Sequence, residues 1–84
     1  MNRGEILVEV RGRMAEMFEL DPSAIGEDSL LREDLDLDSL DAIDLAVRIQ
    51  ELTGARVEES DLRKVRTVGD VVDLIALMLS THAG

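Results

Sequence analysis

The chain has 84 residues, of which 45% are hydrophobic, and its 19 acidic and 9 basic residues give a formal net charge of −10. This length predicts one small domain over residues 1–84 with little room for a buried active site, and the acidic balance disfavours nucleic acid and anionic membranes as partners. The absence of cysteine excludes a disulfide framework and a thiolate metal site, and the single aromatic residue predicts an aliphatic core.

The first predicted element is an amphipathic helix over about residues 3–19. Asn2 followed three positions later by Glu5 is typical of a capping box at its start. Gly12 lies outside the apolar arc of this helix, and the run Asp21-Pro22-Ser23 ends it. The arc contains Ile6, Leu7, Val10, Met14, Met17 and Phe18. The loop that follows, residues 20–38, is long for a compact domain, which indicates function or short helical turns.

The second predicted helix spans about residues 39–53 and ends at Gly54. Asp38 and Asp41 have the capping-box spacing at its start. A helical projection separates a polar stripe of Asp41, Asp44, Arg48 and Glu51 from a core face of Ala42, Leu45, Ala46 and Ile49. Leu40 and Val47 fall beside the polar stripe, which is consistent either with a docking patch for a basic partner or with the edge of the core.

A short helix over about residues 58–64 and a last helix over about 67–80 complete the predicted elements. Thr67 and Asp70 have the capping-box spacing, and Thr81 to Gly84 are expected to form a frayed tail. The last apolar arc contains Val68, Val71, Val72, Leu74, Ile75, Met78 and Leu79. Three main helices and a short one, with no strand pattern, predict an all-α fold in the form of a small four-helix bundle.

No apolar stretch approaches the roughly 20 residues that cross a bilayer, and the N-terminus lacks a signal-peptide pattern. We therefore expect a cytoplasmic monomer without membrane insertion. Charge is concentrated in residues 27–51, where nine acidic residues face two basic ones, a balance of −7. Such a surface favours protein partners with basic patches.

The sequence offers no catalytic or metal centre. Asp34, Asp36 and Asp38 imitate half of a calcium-binding loop, but Ser39 stands where the loop needs Gly and Leu45 where it needs a bidentate Glu. Hydrolase chemistry is equally unsupported, because Ser39 lacks a G-x-S-x-G turn and His82, the only histidine, lies near the C-terminus. We expect no enzymatic activity and no dedicated metal site; the clustered carboxylates are consistent with a solvated acidic face or, less often, with loose binding of a divalent cation.

Ser39 is better interpreted as an attachment point. If Asp38 caps the helix, Ser39 occupies the first helical position with its hydroxyl free, and an anionic group on that hydroxyl would lie at the positive end of the helix dipole. In isolation, however, Asp38-Ser39-Leu40 is more often an ordinary helix cap.

Across nearly its whole length the chain resembles freestanding type II acyl carrier proteins. The resemblance is carried by Asp38-Ser39-Leu40-Asp41, by the helix that follows, and by Thr67-Val68-Gly69-Asp70-Val71-Val72. It implies that Ser39 carries a phosphopantetheine arm, which a phosphopantetheinyl transferase adds from coenzyme A with Mg²⁺, releasing adenosine bisphosphate. The thiol of the arm would hold acyl cargo as a thioester, sheltered in the bundle interior.

The resemblance also implies a docking surface on the second helix. Its members here would be Leu40, Asp41, Asp44, Val47, Arg48 and Glu51. The partners would be acyl-transferring enzymes, ketosynthases, reductases and dehydratases with basic docking patches, in fatty-acid or polyketide-type synthesis. The chain is also similar to carriers of aryl-polyene-type pathways, as an alternative to primary fatty-acid synthesis and other specialised acyl pathways.

The chain departs from the family pattern in three places. Asp36 stands where family members commonly have Gly, which predicts a stiffer and more acidic loop before the helix. Arg48 interrupts a ridge that is often uniformly acidic, and basic residues cluster beyond the second helix at Arg56, Arg63, Lys64 and Arg66. Two alternatives remain: a peptidyl or D-alanyl carrier, and a helical adaptor that never carries an arm.

Overall fold

The structure, a computed structural model, describes residues 2–82, with side chains described for residues 2–80. Its helices are α1 (Arg3–Phe18), α2 (Ser39–Thr53), α3 (Glu59–Lys64) and α4 (Val68–His82), with a short 3-10 helix over Pro22–Ala24. Within the described residues the only extended pairing is an isolated bridge between Leu30 and Thr67. The predicted all-α fold, with three main helices and a short one, is confirmed.

Each of the predicted capping boxes forms. At α1, the Asn2 side chain accepts the N–H of Glu5 at 2.9 Å, and the Glu5 carboxylate accepts the N–H of Asn2 at 3.0 Å. At α4, Thr67 and Asp70 exchange the same pair of bonds, each at 3.1 Å. These caps satisfy N–H groups that a helix start otherwise leaves unpaired, so the sequence marks where the helices begin.

The last helix is longer than predicted, and the long loop contains a short helical turn, as its length indicated. Helix α4 continues to His82, so Thr81 and His82, expected in a frayed tail, are helical, while Ala83 and Gly84 lie outside the described residues. The loop over residues 20–38 contains the 3-10 helix, because Asp21 caps it by accepting the N–H of Ser23 at 3.0 Å. No helix among the described residues is long and apolar enough to cross a membrane.

The core is aliphatic and draws on the loop as well as the helices. The loop buries Ile25, Leu35 and Leu37, none of which helical periodicity could single out. Met17 and Phe18, predicted in the α1 core face, are only half-buried. The other buried apolar side chains are Ile6, Val10, Met14, Leu45, Ala46, Ile49, Val57, Val68, Val71, Val72, Ile75 and Met78.

Backbone hydrogen bonds fix the loop against the start of α4. The N–H of Leu31 donates to the carbonyl of Arg66 at 2.9 Å, and the N–H of Gly69 donates to the carbonyl of Glu27 at 2.8 Å. A Cβ on Gly69 would lie 3.1 Å from that carbonyl oxygen and 2.9 Å from the Glu27 Cγ, so the close approach requires glycine. Arg3 adds ion pairs to Glu27 and Asp73 at the same end of the molecule.

Candidate functional site

Ser39 is the first residue of α2 and follows a fully formed helix cap. Asp38 has an extended backbone, and its Oδ1 accepts the N–H groups of Leu40 at 2.9 Å and Asp41 at 3.0 Å. The Asp41 carboxylate accepts the N–H of Asp38 at 3.1 Å, which closes the predicted capping box. This reciprocal cap holds Ser39 in a fixed position at the positive end of the α2 dipole.

The Ser39 hydroxyl is free to react with another molecule. It is solvent-accessible, and it forms no hydrogen bond to any of the described residues. A serine hydroxyl is a weak nucleophile unless a base lies beside it. The protein therefore supplies an accessible hydroxyl, and activation has to come from another molecule.

The loop that leads to Ser39 contains a left-handed residue. Asp36 has φ 56°, a conformation that glycine adopts freely and other residues adopt with strain. Its neighbours Leu35 and Leu37 are both buried, and Asp34 accepts the N–H of Leu30 at 2.7 Å. The core contacts on either side hold Asp36 in this conformation and set the direction in which the chain enters α2.

A pocket of about 600 Å³ lies beside Ser39. Ser39 and Asp38 form part of its wall, and the loop contributes Leu31 and Leu37. The remaining apolar wall comes from α2, α3, α4 and the α3–α4 connection, through Ala42, Leu45, Ile49, Leu62, Val65, Val71 and Leu74. A volume of this size suits a small-molecule ligand, and the apolar side chains favour an aliphatic one, although Arg32, Glu33 and Arg66 also line the pocket.

One side of α2 presents an apolar stripe to solvent. Leu40 is 70% exposed, Ile43 55% and Val47 46%, at positions i, i+3 and i+7 of one helix face. Leu40 and Val47 therefore face solvent and do not belong to the hydrophobic core cluster. Sequence reasoning missed Ile43, although the same spacing could have identified it.

The acidic residues of α2 differ in their surroundings. Asp44 is exposed and pairs with none of the described basic residues, whereas Glu51 pairs with Arg48 at 3.3 Å. Asp41 is half-buried and belongs to the helix cap. Asp44 is therefore the carboxylate on this face that neither caps the helix nor forms an ion pair.

Hydrogen bonding perturbs one carboxyl group next to the pocket. The N–H groups of Arg66 and Thr67 donate to Asp70 at 2.9 and 3.1 Å, and these bonds hold the pKa of its carboxyl below the ordinary value. Among the described residues, no cluster of three or more acidic or histidine side chains is arranged to hold a metal ion.

Comparison with known proteins places this site in a family. The family model described as "Phosphopantetheine attachment site" matches residues 8–75, which include α2 and the pocket. The chain is 42% identical over 80 residues to acyl carrier protein 2 of Ralstonia nicotianae, covering 95% of this chain and 99% of that protein. It is 35% identical over 75 residues to the acyl carrier protein of Thermosynechococcus vestitus, covering 89% of this chain and 93% of that one.

Solved structures agree with these relatives. The crystal structure of the acyl carrier protein from Thermotoga maritima superposes with a TM-score of 0.83 at 26% identity, covering 96% of this chain and 94% of that one. The acyl carrier protein from Enterococcus faecalis gives a TM-score of 0.74 at 25% identity, covering 95% and 98%.

The family model and the relatives make this chain a small carrier protein and not an enzyme. The chain belongs to the phosphopantetheine attachment-site family and, within it, to the acyl carrier proteins. Its cofactor is a covalent phosphopantetheine arm, and its partners are biosynthetic enzymes together with a phosphopantetheinyl transferase.

Proposed function

We propose that Ser39 is the attachment residue for the phosphopantetheine arm and that Asp38 presents it by capping α2. The observation that carries this proposal is the exposed hydroxyl of Ser39, which has no hydrogen-bond partner among the described residues and lies beside the pocket. Asp38 supports it by fixing the start of the helix through bonds of 2.9 and 3.0 Å.

The surroundings of Ser39 fit a phosphodiester. An anion at a helix N-terminus is stabilised by about 0.3 to 1 kcal/mol when exposed. The carboxylates of Asp38 and Asp41 already accept N–H groups at this end of α2, and their negative charges repel a further anion. The stabilisation of the phosphodiester is therefore expected at the lower end of that range. When bound, the arm supplies a thiol that holds the acyl group as a thioester.

We assign the pocket to the acyl cargo. Its wall combines Leu45 and Ile49 of α2 with Val71 and Leu74 of α4, so an acyl chain inside it is removed from water. Burial of each methylene group contributes about 0.8 kcal/mol. Because Ser39 lines the pocket, a chain tethered there can enter it without leaving its attachment residue.

The exposed face of α2 is the proposed docking surface for partner enzymes. Leu40, Ile43 and Val47 would be desolvated on contact, while Asp44 and Glu51 steer basic patches towards them. Arg48 and Asp41 border this surface, Arg48 as the ion-pair partner of Glu51 and Asp41 as part of the cap. The partners are acyl-transferring enzymes, ketosynthases, reductases and dehydratases, acting on a cytoplasmic monomer built as one carrier domain over residues 1–84.

The attachment residue is tested by intact-protein mass spectrometry after incubation with a phosphopantetheinyl transferase, coenzyme A and Mg²⁺. The wild-type protein should gain the mass of one arm, and Ser39→Ala should gain none. Ser60→Ala is the matched control, because Ser60 is an exposed serine on α3 and its loss should leave loading unchanged. Arm addition to Ser39→Ala would refute the assignment.

The pathway is tested by the mass of the protein purified from its native host, which reports arm and cargo together. An aryl-polyene-type carrier should hold an unsaturated aryl acyl group. A saturated fatty acyl mass would assign primary fatty-acid synthesis instead, and an aminoacyl mass would support a peptidyl or D-alanyl carrier.

A further inference from the structure

Two arginines on the pocket wall form no ion pair with the described residues, although acidic residues outnumber lysine and arginine by 19 to 9. All the basic residues lie in the described part of the chain, where five form ion pairs and Arg11 donates to the carbonyl of Ile25 at 2.9 Å. The other three are Arg32, Lys64 and Arg66, and of these Arg32 and Arg66 line the pocket beside Ser39.

Backbone pairing joins the two segments that carry the arginines. The N–H of Leu31 donates to the carbonyl of Arg66 at 2.9 Å, and the N–H of Val68 donates to the carbonyl of Ser29 at 3.0 Å. These bonds hold the loop against the α3–α4 connection, so Arg32 and Arg66 reach the same pocket from two different segments. Both side chains belong to exposed residues, which leaves the guanidinium groups accessible to a ligand.

We propose that Arg32 and Arg66 bind a carboxylate carried by the acyl cargo, so that the pocket favours acyl groups with an anionic end, such as dicarboxylic acids linked through one carboxyl group. This inference rests on the proposed function, because cargo reaches the pocket from an arm at Ser39. A guanidinium group presents several N–H donors in a planar fork that matches a carboxylate. The apolar wall accommodates the methylene groups between the two ends of the cargo.

The arrangement favours the cargo over the phosphodiester of the arm as the bound anion. The phosphodiester is held on the Ser39 hydroxyl at the first turn of α2, at the positive end of the helix dipole. Arg32 and Arg66 come instead from the loop and the α3–α4 connection, on other parts of the pocket wall.

Two acidic residues share the pocket with the arginines. Asp38 has its Oδ1 committed to the N–H groups of Leu40 and Asp41. Glu33 is exposed and forms no ion pair with the described residues. The negative charge of Glu33 repels a cargo carboxylate. Removing that charge should therefore strengthen the preference of the pocket for anionic cargo.

The test compares two cargos of the same shape that differ in charge. The full chain is loaded with a hydrolysis-resistant amide analogue of the arm that carries either adipoyl or its terminal amide, adipamoyl. The wild-type protein should melt about 2 to 5 °C higher with adipoyl, since an exposed ion pair is modest and this domain is small. The difference should shrink at high salt, and the Nε–H signals of Arg32 and Arg66 should shift only with adipoyl.

Substitutions then test which residues cause the difference in melting temperature between the two cargos. Arg32→Gln and Arg66→Gln should each reduce the difference in melting temperature between the two cargos, and Glu33→Gln should increase it. Arg56→Gln is the matched control, because Arg56 is an exposed arginine that does not line the pocket. It should leave the difference unchanged.

The outcomes separate this inference from the proposed function. Equal melting temperatures for the two cargos, or a difference that survives in both pocket-arginine variants, would overturn the inference while leaving attachment at Ser39 intact. If the Nε–H signals of Arg32 and Arg66 shift fully with the arm alone, the two arginines bind the phosphodiester. That result would also overturn the inference. Failure of Ser39 to accept any arm would overturn the proposed function itself.

Discussion

Asp41 accepts the backbone N–H of Asp38 at 3.1 Å while its own N–H donates to the Asp38 side chain at 3.0 Å. Asp41 therefore stabilises the start of α2 as well as contributing negative charge beside the proposed docking surface. A charge reversal at Asp41 would remove a cap and a docking charge together. Asp44 lacks this complication, because it is exposed and pairs with none of the described residues.

Asp44→Lys should slow transfer of the arm by the phosphopantetheinyl transferase about three- to tenfold at low salt, because the negative charge of Asp44 attracts a basic partner. The effect should shrink at physiological ionic strength, where the Debye length is about 8 Å. Transfer rates are measured from the mass gain over time. Glu16→Lys, which makes the same change in charge on the exposed surface of α1, should have little effect. Equal slowing by both variants would argue against a specific docking surface on α2.

Asp36→Gly should raise the free energy of unfolding by up to about 1 kcal/mol. Asp36 has φ 56°, which costs a residue with a Cβ roughly 1 to 2 kcal/mol, and glycine recovers part of this despite its more flexible unfolded chain. The variant also removes one charge from an acidic loop. Chemical denaturation measures the change.

Asp34→Gly is the control for this prediction, because Asp34 accepts the N–H of Leu30 at 2.7 Å and its φ is not positive. This substitution should lower the free energy of unfolding. A loss of stability in both variants would show that the conformation of Asp36 carries no appreciable strain.

Local pattern predicted the helices but not the way the loop packs. Capping boxes such as Asp38 with Asp41, and the helical spacing of apolar residues, operate over a few positions and can be recognised in the sequence. Ile25 and Leu35 are buried by contacts between distant segments, which no local period encodes. The positive φ of Asp36 is likewise imposed by its buried neighbours.

The proposed attachment residue and part of the proposed docking surface can be predicted from the sequence, whereas the different roles of Asp41 and Asp44 cannot. The capping pattern singled out Ser39, and the helical projection placed Leu40 and Val47 beside the acidic stripe. Ile43 was missed because it was not compared with those two at the i+3 spacing. Only the three-dimensional structure reveals that Arg32 and Arg66 line the same pocket.

Gly69→Ala should lower the free energy of unfolding by about 1 to 3 kcal/mol, because the added Cβ would lie 3.1 Å from the carbonyl oxygen of Glu27. The Glu27 carbonyl belongs to the backbone and cannot move aside as a flexible side chain can. The contact between the loop and α4 would therefore be strained. Gly12→Ala is the matched control: its Cβ would meet nothing within 4 Å, and the better helix former should add about 1 kcal/mol. Thermal unfolding of the two variants should therefore shift in opposite directions, and a shared direction would contradict the close approach at Gly69.

Asp70 is expected to make the stability of the protein depend on pH. Its carboxylate accepts the N–H groups of Arg66 and Thr67 at the start of α4, and these bonds lower the pKa of its carboxyl in the folded protein. A lowered folded pKa means that the unfolded chain binds the proton more readily, so this contribution is complete above the ordinary pKa of about 3.9. It is lost as the pH falls through the lower folded pKa.

Asp70→Asn keeps one side-chain oxygen as an acceptor and removes the charge. At neutral pH the variant should have a lower free energy of unfolding than wild type, and the gap should close as the pH falls below about 4. Denaturation at a series of pH values measures this gap. Asp44→Asn is the control, because the Asp44 carboxylate accepts no hydrogen bond from the described residues and its substitution reports only the change in net charge. A gap for Asp70→Asn that stays constant from pH 7 down to about 3 would show that the charge of Asp70 does not strengthen the cap of α4.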